Sequence, residues 1–165
     1  MSVHLNHPAR GCRQFDHGVG VDHDRLTLRL TNRLSEIPRS AELVQAFCAR
    51  QGVASSAIFA INVALEELLA NTMSYGYVDD REHEIVVQIW REDADLVIDI
   101  ADDARPFDPT QVAPPDLDAP LDERPVGGLG IHLVRNMMDR MDYRGDGQHN
   151  RVRLRKRIAP SPAPG

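Results

Sequence analysis

Cysteine is scarce in this sequence. Cys12 and Cys48 are the two present in 165 residues, far apart and with no C-x-x-C spacing. A disulfide framework and a zinc site are therefore not expected, and a reducing compartment fits. Long apolar runs are missing too. None approaches the roughly 18–20 residues that span a bilayer, and the opening MSVHLNHPARGCRQF has no apolar signal core. The expectation is a cytoplasmic protein with no membrane partner. An excess of positive charge is also lacking: 19 Lys and Arg stand against 25 Asp and Glu, for a net charge of −6, and only 5% of residues are aromatic. That balance argues against direct binding of nucleic acid. It is too mild to imply disorder, and no internal repeat is present.

What is present reads as one domain with a single packed core. Residues 1–24 are polar and rich in Gly and His, and are expected to form a flexible arm; His4, His7, His17 and His23 match no rigid metal-ligand spacing. Arg25 to Leu30 alternates polar and apolar residues like a half-buried strand. A helix is expected from Ser35 to Gly52, with Leu43, Val44, Phe47 and Cys48 on one stripe. A second helix, capped by Ser55 or Ser56, carries Ile58, Ile61, Leu65 and Leu68 on its core face and ends near Tyr75-Gly76-Tyr77. Glu84 to Arg91 and Leu96 to Ala101 form a hairpin. A proline-rich, acidic stretch follows that excludes a regular helix or central strand, and residues 103–130 are expected to act as a lid. A third helix runs from Ile131 to about Arg140, and a last hairpin joins Met141–Arg144 to Arg151–Ile158. Residues 159–165 are an expected disordered tail, leaving 25–158 as the folded domain. Strands come in hairpin pairs, so the fold class is α+β: a two-layer sandwich whose mixed, mostly antiparallel sheet carries helices on one face.

Three groups of residues carry possible chemistry. Glu67 and Asn71 lie at i and i+4 and share one face of the second helix. Their oxygens suit a hard cation such as Mg²⁺, or the carboxylate can take a proton from a hydroxyl; taken alone, the pair is better explained as a solvated polar face or a helix-end Asn. Asp102 stands where an apolar strand runs out into a loop, and can accept a hydrogen bond from a ligand amino group. Small Ala104 leaves room for a flat ring, and Phe107 reads as a plug at the loop base. Gly127, Gly128 and Gly130 allow close backbone approach, and the helix start behind them offers free N–H groups to phosphate. The pattern is neither a Walker A loop nor a dinucleotide fingerprint. The run Arg151–Arg157 alternates like a strand and reads as a solvated sheet face.

Together, in this order and spacing, these elements resemble the GHKL (histidine-kinase-like) ATPase superfamily over roughly Leu26 to Ile158. Within it the chain is similar to the anti-sigma-factor serine/threonine-protein kinases. Glu67-x-x-x-Asn71 followed by Tyr75-Gly76-Tyr77 matches the N box. Asp102 to Pro109 matches D-x-G-x-(G/P)-F-D-P, and Gly127 to Arg135 matches the lid glycine box.

The resemblance implies the Bergerat ATP-binding fold with ATP and Mg²⁺ as cofactors. It implies Glu67 as the catalytic base and Asn71 as an ATP and Mg²⁺ ligand. Asp102 and Ala104 would meet the adenine, and Gly127, Gly128, Leu129, Gly130 and Ile131 the phosphates, with Arg124 adding a contact. Two positions depart from the pattern: Ala104 replaces the first glycine of the adenine motif, and Asn150 stands where an adenine-binding Thr is usual. The implied partners are a STAS-type anti-anti-sigma protein as phospho-acceptor, a sigma factor, a Ser/Thr phosphatase acting on the same STAS protein, and a second copy in a homodimer. Ala104 motivates an alternative, a non-catalytic anti-sigma or partner-switching module. A sensor histidine-kinase catalytic domain is the third reading, disfavoured because the arm before Arg25 is too short and polar for a dimerising helix pair.

Overall fold

The computed structural model describes residues 18–22, 24–114 and 128–158. Its elements run β1 (Val19–Asp22), β2 (Arg25–Thr31), α1 (Glu36–Arg50), α2 (Ser55–Tyr75), β3 (Glu84–Glu92), β4 (Asp95–Asp102), a 3₁₀ turn (Pro109–Gln111), α3 (Gly128–Met137), β5 (Arg140–Gly145) and β6 (Asn150–Arg157). The strands form one six-stranded sheet ordered β1-β2-β3-β4-β6-β5. Every described pairing is antiparallel, so the mixed sheet resolves to an antiparallel one among the described residues.

Period-two alternation sets which side chains meet the helices. Leu26, Ile89, Ile98 and Leu154 stand in register across four strands, and all four are buried. The next row is Leu28, Val87, Ile100 and Val152. From the helices, Val44, Phe47, Ile61, Leu65, Leu69, Ile131 and Val134 complete the same core. Burying a side chain of this kind contributes roughly 1.5–3 kcal/mol. Helix α1 stops where the pattern predicts. Gly52 takes φ +70°, and its N–H bonds Ala49 O at 3.1 Å while that of Val53 bonds Cys48 O at 3.0 Å, a Schellman closure.

Three expectations are corrected. Val19–Asp22, inside the expected arm, is a strand: it pairs with Arg25–Leu28 and borrows its order from the edge of β2. Neither Ser55 nor Ser56 caps α2; the cap position is Ala54, in an extended conformation and with no side-chain bond. Helix α3 starts at Gly128 and ends at Met137, three residues earlier at each end than Ile131 to Arg140. Packing of Ile131, Val134 and Met138 into the core overrides the low helix propensity of the glycines. Residues 1–17 and 23 of the expected arm, 115–127 of the expected lid and all of the expected tail lie outside the described residues.

The arginines of β6 are not simply solvated. On the helix-free face, Arg153 grips the buried Asp99 through two bonds, Nε–Oδ1 at 3.1 Å and Nη2–Oδ2 at 2.9 Å. Arg25 and Arg153 lie over the Trp90 ring at 4.4 and 5.5 Å, and Arg155 pairs with Glu92.

Candidate functional site

The core face ends in a polar row. On β4 the inward positions run Leu96, Ile98, Ile100 and then Asp102; on β6 they run Leu154, Val152 and then Asn150. Asp102 and Asn150 are cross-strand partners, and both are buried. The apolar layer thus gives way to hydrogen-bonding groups at one end of the sheet, beside the C-terminal half of α2.

A cavity of about 830 Å³ opens there. Asn71, Asp102, Ala104, Gly128 and Asn150 all line it, together with apolar Leu68, Val112 and Val152. Apolar walls with a few convergent polar groups suit a small ligand with a flat, partly polar ring.

Asn150 organises the inner end. Its Nδ2 donates to Asp102 Oδ1 at 2.8 Å and to Ala104 O at 2.9 Å, while its Oδ1 accepts from Tyr143 Oη at 2.8 Å. Asp102 Oδ1 also accepts the Ala104 N–H at 3.0 Å. One carboxylate oxygen is thereby engaged, and Oδ2 has no hydrogen-bond donor among the described residues. Burial raises the Asp102 pKa, and the bonds from Asn150 and Ala104 oppose that rise only in part. Asn150 therefore serves Asp102, a role its placement opposite β4 creates.

Ala104 is accommodated by a neighbour. A β-carbon built on Gly76 would lie 2.8 Å from Ala104 Cβ and 2.5 Å from Thr72 O. The lack of a side chain at 76 is what lets the Ala104 methyl pack against the end of α2. Arg105 secures the contact, its backbone N–H bonding Gly76 O at 2.9 Å and its guanidinium Tyr75 O at 2.5 Å. Gly76 and Arg105 are functional candidates that motif spacing alone did not single out. Phe107 is no plug: it is exposed and lines the cavity.

At the outer end, α3 packs on α2 through Gly130. A β-carbon there would stand 2.8 Å from Glu67 Cδ and collide with its carboxylate. Glu67 therefore reaches the first turn of α3, although it is not part of the cavity lining. No described residue donates a hydrogen bond to Glu67 or to the Asn71 amide. The side chains of Leu129 and Ile131 do not line the cavity: Leu129 is exposed and Ile131 sits in the core. What this turn can offer a ligand is its backbone N–H groups, which lack intrahelical partners. Gly127 and Arg124 lie outside the described residues.

Oxygen donors on successive turns of α2 fit a hard cation, and Mg²⁺ takes such donors together with substrate phosphates. No cluster of three or more His, Cys, Asp or Glu capable of holding a metal occurs among the described residues. A cation here would depend on the ligand's own oxygens, as expected for a metal that enters with a triphosphate.

Known proteins resemble this chain in sequence and in fold. Serine-protein kinase RsbW of Listeria monocytogenes is 23% identical over 121 residues, 71% of this chain and 77% of its own length. Serine/threonine-protein kinase BtrW of Bordetella bronchiseptica is 28% identical over 102 residues, 62% of this chain and 72% of its own. Among solved structures, the RsbU and RsbW domains of a Mycobacterium tuberculosis protein superpose with a TM-score of 0.62 at 16% identity, covering 83% of this chain and 33% of that one. That likeness is one of fold. Residues 30–156 match the histidine kinase-like ATPase domain. With the helix pair, the polar sheet end and the glycine turn all inside that span, this chain belongs to the histidine kinase-like ATPase family.

Proposed function

We propose that this chain binds ATP with Mg²⁺ and transfers the γ-phosphoryl group to a serine or threonine hydroxyl of a STAS-type anti-anti-sigma protein, and that it also holds a sigma factor. The reading rests on the family, on the kinase names of its relatives, and on one observation. Glu67 meets the first turn of α3 with its carboxylate free of hydrogen bonds from any described residue. A carboxylate so placed, beside N–H groups suited to phosphate, can take the proton of an attacking hydroxyl.

Asp102 Oδ2 would accept the adenine amino group while Asn150 holds Oδ1. Asn71 would hold the magnesium, which neutralises phosphate charge when bound. The hydroxyl oxygen bonds to the γ-phosphorus, its proton passes to Glu67, and ADP leaves with the electrons of the broken P–O bond. Ala104 is the one feature that favours a module holding nucleotide without turnover. Its methyl packs against Gly76, which supports a pocket still open to a ring.

The test is phosphate transfer from labelled Mg-ATP to the STAS protein, beside calorimetry with an ATP analogue. Transfer by the native protein should fall about a hundredfold or more in Glu67→Gln, with nucleotide affinity retained. Tight nucleotide binding without transfer would leave the non-catalytic module. Tight partner binding with no measurable nucleotide binding would remove the kinase reading and likewise favour the non-catalytic module.

A further inference from the structure

His83 sits at the end of the loop that leaves α2, and its ring faces a carboxylate on each side. Nδ1 stands 3.1 and 3.0 Å from the two oxygens of Asp103, and Nε2 stands 2.8 Å from Asp79 Oδ1. A neutral imidazole has one N–H and one lone pair, whereas a carboxylate only accepts. Both contacts are hydrogen bonds at once only when both ring nitrogens carry protons. The geometry is that of an imidazolium bridging two anions.

Among the described residues, no cation competes with His83 for Asp103. Asp79 has its own, the Arg81 Nε at 2.7 Å. The Tyr77 ring stacks on His83 with centroids 4.4 Å apart; its buried hydroxyl makes no hydrogen bond within 3.5 Å but faces Asp102 and Asp103, and burial followed by those two charges raises its pKa. From the end of β2, the oxygen of neutral Asn32 accepts the His83 backbone N–H at 3.2 Å. The nearby charges there are already paired, Arg33 with Glu82 and Arg29 with Glu84. Beyond Asp103, the strand end contributes Asp102. Burial of the ring pulls the His83 pKa down, and Asp79 and Asp103 together outweigh it, so the net shift is upward.

Asp103 follows Asp102 directly. The segment 103–105 is tied at two points to the chain that leaves α2: Arg105 to Tyr75 and Gly76, and Asp103 to His83. Between these ties lies the Ala104 N–H that fixes Asp102 Oδ1. We infer that His83 is a positioning residue for the nucleotide site, a proton-dependent latch that fixes the Asp102–Arg105 segment when charged and that, when neutral, keeps its one N–H on the shorter Asp79 contact and releases Asp103. The nucleotide part of this inference rests on the proposed function; the latch itself does not.

The experiment is NMR on the ligand-free full chain, following the imidazole of His83 and the exchange protection of the Ala104 and Arg105 amides from pH 5 to 9. His83 is assigned by its loss in His83→Gln. His83 should titrate above its ordinary 6.5, with both ring nitrogens protonated below the transition. Protection of the two amides should fall about fivefold as the proton leaves, the size of one lost hydrogen bond. His83→Gln should show no such step. Asp103→Asn, whose amide can donate to a neutral ring, should move the titration and the step together toward lower pH.

Affinity for an ATP analogue, measured by calorimetry across the same range, should follow the protection in the native protein and lose the step in His83→Gln. A His83 that titrates at or below 6.5, or protection that ignores its titration, overturns the latch. A step in protection with affinity indifferent to it overturns the positioning role. A working latch in a protein that binds no nucleotide overturns the proposed function and leaves the latch.

Discussion

Asn150 shows how one side chain can decide whether a neighbouring carboxylate is usable. Its amide group donates to Asp102 and to the Ala104 carbonyl, and its oxygen takes the Tyr143 hydroxyl. Asp102 and Ala104 are buried and Tyr143 is half-buried. Asn150→Ala leaves donor and acceptors unsatisfied at once, so chemical denaturation should show a loss of about 2–3 kcal/mol. Asn150→Asp keeps the shape but sets a second carboxylate against Asp102. It should be at least as destabilising at neutral pH and should recover part of the loss on acidification, as one of the two acids takes a proton. Equal, pH-independent losses in the two variants would show that Asn150 only fills space.

At the scale of elements, the packing of α3 on α2 separates stability from chemistry. Gly130 lies in the first turn of α3, where alanine is the better helix former by up to about 1 kcal/mol. The atoms its β-carbon would meet belong to the far end of a flexible side chain, the Glu67 carboxylate. Gly130→Ala should therefore leave thermal stability unchanged or raised, because Glu67 can swing aside. Displacing the proposed base by an ångström or so should still cost about a hundredfold in phosphate transfer. Loss of fold in this variant, or transfer at the native rate, would contradict that geometry. Elements also mark how far the sequence could be read. Asp102 was legible because it stands where an apolar strand runs out into a loop, and the Glu67–Asn71 pair because helical spacing puts it on one face. The start of α3 was not, since glycines signal a loop locally and only the burial of Ile131 and Val134 makes a helix of them. Strand β1 was not, because Val19-Gly20-Val21-Asp22 is too short to carry a pattern and is ordered by its neighbour. The His83 bridge was hidden for the same reason: Asp103 reaches it only after the β3–β4 hairpin folds back.

Over the whole molecule, the titrating groups set a stability profile with limbs of different origin. Asp79 is held down to about 2, chiefly by its bond to His83 and then by Arg81. Asp142 is lowered by Arg140, and Asp146 by the backbone N–H groups of Gln148 and His149. A depressed carboxylate stabilises the fold above its unfolded pKa, and that contribution is lost as pH falls through the folded value. These three therefore weaken the protein in acid, below about pH 4. Asp102, raised by burial, works in the opposite sense and blunts that limb. His83 has a raised folded pKa, so its contribution is complete below 6.5 and disappears as pH climbs through the folded value. A second alkaline loss has another cause. Burial pushes the Cys48 thiol from 9.0 up to about 12, so the unfolded chain ionises first and stability falls again above pH 9. Urea unfolding from pH 3 to 10 at fixed ionic strength should then show a plateau in mild acid, a first decline above neutrality and a second, steeper one beyond pH 9. His83→Gln should erase the first decline and keep the second, because the imidazolium bridge and the buried thiol titrate independently. A native protein equally stable at pH 6 and pH 9 would mean that the charged bridge adds nothing to the fold.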